Sequence, residues 1–129
     1  MNTGIFVQLR ARLIPFDRQL DTGDSVGSEW RRAAVLILLF PRPTDVSFLL
    51  TERPASMRLH AGQISLPGGA EEPGDPSLWH TAKREAREEL GLRTGRVRPL
   101  GRLDVVFVSA SRYCGSRKSG YGGTCTLSK

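Results

Sequence analysis

Residues 67–92 read PGGAEEPGDPSLWHTAKREAREELGL, a glycine-rich turn followed by a stretch with helical patterning. Asp75 is a favourable N-cap, Pro76 suits the first helical position and Gly91 supplies a C-terminal stop, so a helix is predicted over 76–90. On a wheel of about 100° per residue starting at Leu78, Ala82, Ala86, Trp79 and Leu90 form one apolar stripe. His80, Lys83, Arg84 and Arg87 fall on the other side, a predicted solvent face. The three glutamates do not join that face as a group. Glu85 and Glu88 lie on its far side, and Glu89 falls between Leu78 and Ala82, where an unpaired charge is costly. Glu85 and Glu89 are four residues apart and repel each other unless a cation lies between them. A solvated face with Arg84–Glu88 pairing is the plain alternative, and the position of Glu89 weighs against it. Carboxylates clustered on adjacent turns are the ligands that hard divalent cations, Mg2+ or Mn2+, require. The turn at Pro67-Gly68-Gly69 lets backbone carbonyls approach such a site. A carboxylate metal site points to chemistry on phosphates.

Upstream of this unit, Ala33–Phe40 is a continuous apolar run bounded by Arg32 and the Pro41–Pro43 pair, the pattern of a strand buried on both faces. Val46–Thr51 is the next predicted strand, after a proline-rich turn. Residues 52–62 read as a polar loop carrying Arg53, Arg58 and His60. Ile64–Leu66 reads as a short strand, and Pro67-Gly68-Gly69 is expected to stop regular structure. Residues 1–30 form a lead-in, a short helix or extended segment followed by a loop, and Leu103–Ser109 is a further strand. Arg112–Lys129 holds four glycines and three serines with Leu127 as its only aliphatic residue, so a loose tail is expected. The resulting division is lead-in 1–30, folded domain 31–111 and tail 112–129.

The composition fits this division. A chain of 129 residues, 39% hydrophobic and 25% charged, suits one globular domain and excludes a coiled coil, a collagen-like chain or a wholly disordered one. No run of about 18 apolar residues exists, and the pattern of a signal peptide is missing, so a cytoplasmic protein with no membrane partner is expected. The net charge of +6 is mostly a tail property, because residues 105–129 carry four basic side chains and no acidic one. A basic segment without a stacking stripe or a base-reading helix argues against specific nucleic-acid binding. Cys114 and Cys125 both lie in the tail with no second pair to complete a zinc site, and read as free thiols.

The stretch GAEEPGD at 69–75, followed by REAREELGL at 84–92, closely resembles the Nudix box, a loop–helix unit of a family that hydrolyses diphosphates linked to another group. Asp75 stands where that box usually has glutamate, and eight residues rather than seven separate it from Arg84. Both departures, together with LLTERPASMRLHAGQISLPGG at 49–69, resemble the coenzyme A pyrophosphatase subfamily. Pro54, in place of a small residue, and Leu66, in place of an aromatic one, are the main differences. The resemblance spans about residues 33–110. It implies an α/β (α+β) fold, a mixed sheet sandwiched between helices. It further implies Glu85 and Glu89 as main metal ligands, Glu88 as a further or water-mediated ligand and the Gly69 carbonyl as completing the coordination. Arg84 would hold a glutamate in place, and Arg53, Arg58 and His60 would contact substrate phosphates.

The implied reaction is hydrolysis of coenzyme A or acyl-CoA to 3′,5′-ADP and (acyl-)4′-phosphopantetheine with Mg2+ or Mn2+. A homodimer is plausible on the same footing. Two other readings stand beside it: a Nudix enzyme for another substrate, such as a nucleotide sugar, a dinucleotide or an oxidised nucleoside triphosphate, and a chain that keeps the box without catalysing. The second draws on the tail, where the family continues with further strands and a closing helix. The sheet is therefore expected to be incomplete at its C-terminal end, with apolar strand surface exposed.

Overall fold

A computed structural model describes residues 3–15, 30–56, 58, 61–108 and 118–128. The chain runs α1 (Thr3–Arg12), β1 (Trp30–Pro41), β2 (Val46–Phe48), β3 (Thr51–Glu52), β4 (Ile64–Ser65), β5 (Gly68–Ala70), α2 (Leu78–Leu90), a 3-10 turn (Thr94–Arg96), β6 (Val97–Val108) and β7 (Lys118–Ser128). The main sheet has the order β2-β1-β7-β6, with β5 also paired to β1, and β3 and β4 form a separate two-stranded ribbon. Strand β1 runs parallel to β7 and antiparallel to β2 and β5, so the sheet is mixed.

The apolar run in β1 is covered on both faces, as its composition predicted. Side chains alternate across a strand, and this alternation sorts the core into two layers. Ala34, Leu36 and Leu38 pack with Ala82 and Ala86 of α2, flanked by Leu78 and Trp79. Leu39, together with Leu100 of β6, packs with Ile37, Phe6, Leu9 and Leu13 on the α1 side. Leu36 and Leu38 are almost completely buried, and each such side chain contributes about 1.5–3 kcal/mol of transfer free energy. The lead-in is therefore helical at Thr3–Arg12, and it is fixed to the sheet edge where the Ile14 and Arg102 backbones exchange hydrogen bonds of 3.0 and 2.9 Å. Among the described residues no helix is long and apolar enough to cross a membrane.

Several expectations are corrected. The helix begins at Leu78 with Ser77 as its N-cap, so neither Asp75 nor Pro76 belongs to its first turn. The Asp75 side chain is engaged elsewhere, as described below. The stop at Gly91 holds: its φ is 65°, and its N–H donates to the Arg87 carbonyl at 2.9 Å. Residues 46–51 divide into β2, paired with β1, and β3, paired with β4, and the Leu49 N–H between them still donates to the Leu38 carbonyl at 3.2 Å. Residues 68–70 do not stop regular structure. They form β5, with Ala34 opposite Gly69, and the ladder is extended by Leu36 N–H to the Pro67 carbonyl (2.8 Å) and Glu71 N–H to the Arg32 carbonyl (2.9 Å). Glycine is needed at residue 68, where a β-carbon would collide with the Ala34 carbonyl and the Val35 backbone. The expected loose tail is instead strand β7 over Lys118–Ser128, paired along both edges with β1 and β6. Ladder bonds are made by backbone groups, which Gly and Ser supply as well as Val does. The predicted strand at 103–109 is longer and earlier, starting at Val97.

Candidate active site

Helix α2 lies over β5, and the loop 71–75 between them folds back across the helix. Within that loop the Asp75 N–H donates to the Glu72 carbonyl at 2.9 Å, and the Glu72 N–H donates to Asp75 Oδ2 at 2.9 Å. The turn thus presents the Asp75 carboxylate to the helix. There Arg84 meets it with two parallel bonds, Nε to Oδ1 at 3.0 Å and Nη2 to Oδ2 at 2.9 Å. Arg84 Nη2 also donates to the Ala70 carbonyl at 3.0 Å, while Nη1 donates to Glu85 Oε1 at 3.1 Å and Glu88 Oε2 at 3.3 Å. A guanidinium has five N–H donors, and all five of Arg84 are engaged. Glu72 adds an ion pair to Nη1 at 3.4 Å.

These bonds hold the Asp75 carboxyl well below the usual carboxylate range, with the Arg84 hydrogen bond as the largest cause and the Glu72 N–H next. The Arg84 guanidinium is pushed correspondingly higher, chiefly by Asp75. The wheel placed Arg84 on the solvent face, and this is corrected: its side chain is only 14% exposed. A wheel registers helix angle alone, and it does not register a loop that folds back over one side. Of the other residues predicted on that face, His80 accepts or donates a 2.8 Å bond with Ser77 Oγ, Lys83 stands 5.0 Å over the Trp79 ring, and Arg87 is exposed.

The glutamates line the seam between α2 and β5. The Glu85 carboxyl lies directly against the α-carbon of Gly69. Glu89, one turn further on, is not sunk in the core; its residue surface is largely exposed. Partial burial nevertheless raises its pKa, the Gly68 backbone N–H opposes that rise, and the like charges of Glu85 and Glu88 add to it. Arg53 is the neighbouring positive charge. Its Nε is buried and has no hydrogen-bond partner among the described residues. Arg58 is exposed in the 52–62 segment, and His60 lies outside the described residues. Cys114 also lies outside them.

The donor set suits a hard cation in kind: Glu85, Glu88 and Glu89 are carboxylates on consecutive turns, and the glycines of β5 leave room beside them. Like-charge repulsion between Glu85 and Glu89 is the condition that a cation would relieve. Among the described residues, no three Asp, Glu, His or Cys side chains already converge as a metal cage. Glu85 and Glu88 are turned toward Arg84. Sequence reasoning missed Asp75, Thr81 and the Ala70 carbonyl as parts of this framework. The signal available was the spacing from Asp75 to Arg84, which places an acid within reach of the arginine once a turn intervenes.

Residues 30–119 match the profile of the NUDIX domain. Over 73 residues, 57% of this chain, the sequence is 49% identical to the uncharacterized Nudix hydrolase NudL of Yersinia pestis (strain Pestoides F). The aligned stretch spans only 36% of that relative's length. The fold is similar to that of the Nudix hydrolase RenU of M. smegmatis, with a TM-score of 0.57 and 24% identity over 74% of this chain and 59% of that one. It is also similar to the C. elegans Ap4A hydrolase, with a TM-score of 0.56 and 19% identity over 75% of this chain and 67% of that one.

Proposed function

The chain belongs to the NUDIX family, and from that membership we propose that it hydrolyses a nucleoside diphosphate linked to another group, with the diphosphate of coenzyme A or an acyl-CoA as substrate. The products would be 3′,5′-ADP and (acyl-)4′-phosphopantetheine. The observation that carries this reading is the seam between α2 and β5, where Glu85 and Glu89 face the glycines of β5 and Arg53 keeps a buried nitrogen unpaired beside Glu89. A buried arginine donor without a protein partner is suited to a phosphate oxygen.

Glu85 and Glu89 would hold Mg2+ or Mn2+, with Glu88 and the Gly69 carbonyl as further donors. Such an ion, when bound, neutralises diphosphate charge and makes a coordinated water more acidic. The chain's own residues do the rest. Arg84 fixes the orientation of Glu85 and Glu88. A glutamate of the helix would orient the attacking water or take its proton. Arg53 and Arg58, with His60, would bind and orient the substrate phosphates. The LLTERPASMRLHAGQISLPGG segment at 49–69 favours coenzyme A over other diphosphates, since its match lies outside the general box. A homodimer is proposed from the family resemblance.

A non-catalytic chain is the second reading, although the loose tail that motivated it is instead strand β7, paired with β1 and β6. Chromatography of coenzyme A incubated with the protein, with and without Mg2+ or Mn2+, tests both. A metal-dependent 3′,5′-ADP peak is the expected result. Turnover of a nucleotide sugar or dinucleotide instead would move the substrate to another diphosphate. Silence toward every substrate from a cooperatively melting sample would establish the non-catalytic reading.

A further inference from the structure

We propose that Thr81 is a positioning residue, acting through Asp75 and Arg84 to fix the glutamates of the site. This rests on the hydrolase reading above and adds a residue to it. Thr81 is the one fully buried polar side chain among the described residues. Its hydroxyl has two acceptors in reach, Asp75 Oδ2 at 2.9 Å and the Ser77 carbonyl at 3.3 Å. A hydroxyl carries a single proton, and the shorter contact to an ionised oxygen takes it. A threonine bonded only to the preceding turn would be an ordinary helix residue; this one serves the carboxylate.

The consequence follows along the chain of contacts. Asp75 Oδ2 receives three donors: the Thr81 hydroxyl, the Glu72 N–H and Arg84 Nη2. Donors from the loop and from the helix's first turn fix the plane of that carboxylate. A fixed plane fixes the paired guanidinium, whose Nη1 then donates to Glu85 and Glu88, with Glu72 as a longer ion pair. Thr81 touches neither glutamate. Without its proton the carboxylate loses one of its three restraints, and Arg84 can rock about the remaining ones.

The test compares the wild-type protein with Thr81→Val, which keeps the shape and removes the donor, and Thr81→Ser, which keeps the donor. Three quantities are read: hydrogen exchange of the Arg84 Nε–H by NMR, Mn2+ affinity by titration, and kcat and KM for coenzyme A. In Thr81→Val, exchange at Arg84 should quicken and kcat should fall, each by about three- to tenfold, the size of one net hydrogen bond. Mn2+ affinity should weaken and KM should hold within about twofold. Thr81→Ser should recover most of both losses. Unchanged Arg84 exchange in Thr81→Val overturns the proposal, and so does a Thr81→Ser variant as impaired as Thr81→Val. If the valine variant does not melt cooperatively, Thr81→Ala replaces it with the same expectations. Should the wild type not cleave coenzyme A, the substrate assignment fails, while Arg84 exchange and Mn2+ affinity still decide the role of Thr81.

Discussion

The carboxyl group of Glu85 rests on the bare α-carbon of Gly69: a β-carbon at residue 69 would stand 2.5 Å from Glu85 Oε1 and 2.6 Å from its Cδ. One residue earlier, a β-carbon on Gly68 would strike the Ala34 carbonyl and the Val35 backbone. Neighbouring glycines thus serve different ends, one leaving room for a functional side chain and the other for a strand.

That difference predicts a split between two alanine variants. Gly69→Ala displaces the end of a flexible side chain, so stability should change little while metal-dependent turnover falls about tenfold or more. Gly68→Ala pushes on backbone and should lower stability by on the order of 1–3 kcal/mol. Denaturant melts and coenzyme A turnover on both proteins check the pair. Equal destabilisation by the two substitutions would refute it.

Glu89→Gln should abolish metal-dependent turnover and leave the fold intact. Its carboxyl is held above its ordinary pKa by partial burial and by Glu85, so removing the charge at neutral pH relieves a strain. The melt should be unchanged or slightly higher. Retained turnover would remove Glu89 from the site.

Arg84→Lys keeps the positive charge and loses the fork. Five donors meet five acceptors around Arg84, whereas an ammonium has three donors and no plane. Turnover should fall about tenfold or more, and the melting temperature should drop as well. A lysine variant with wild-type kinetics would show that charge alone matters at this position.

Acid should expose the Asp75–Arg84 pair. The folded-state pKa of Asp75 is depressed, chiefly by Arg84, so the unfolded chain takes up a proton near pH 4 while the folded chain does not. The stabilisation is therefore present above about pH 4 and is lost as pH falls below it. Asp75→Asn should be less stable than the wild type at neutral pH and should show a flatter decline in acid. Urea melts from pH 2.5 to 7 would measure both.

Much of this arrangement could be read from the residues, and the remainder fails for identifiable reasons. The β1 run was legible because burial on both faces leaves an unbroken apolar stretch, and Gly91 because a left-handed residue at a helix end has few alternatives. The glutamates stood out through an angular position that put Glu89 inside the apolar stripe, yet its residue is exposed, because a wheel gives angle and not depth. Asp75 was misread because an acid before a helix is usually a cap; here the loop carries it past the first turn to Arg84. Strand β5 was missed because Gly68-Gly69-Ala70 pairs through backbone groups, which side-chain patterning does not register. The same limit hid β7.

The seating of β5 on β1 has a thermal consequence. Gly69 and Ala70, against which Glu85 and Arg84 are set, are bonded opposite Ala34 and Ala33 in the most deeply buried strand. The Gly69–Ala70 side of the seam should therefore loosen only when β1 itself does. On slow heating, inactivation should coincide with the loss of the sheet, with no interval in which the molecule is intact but idle.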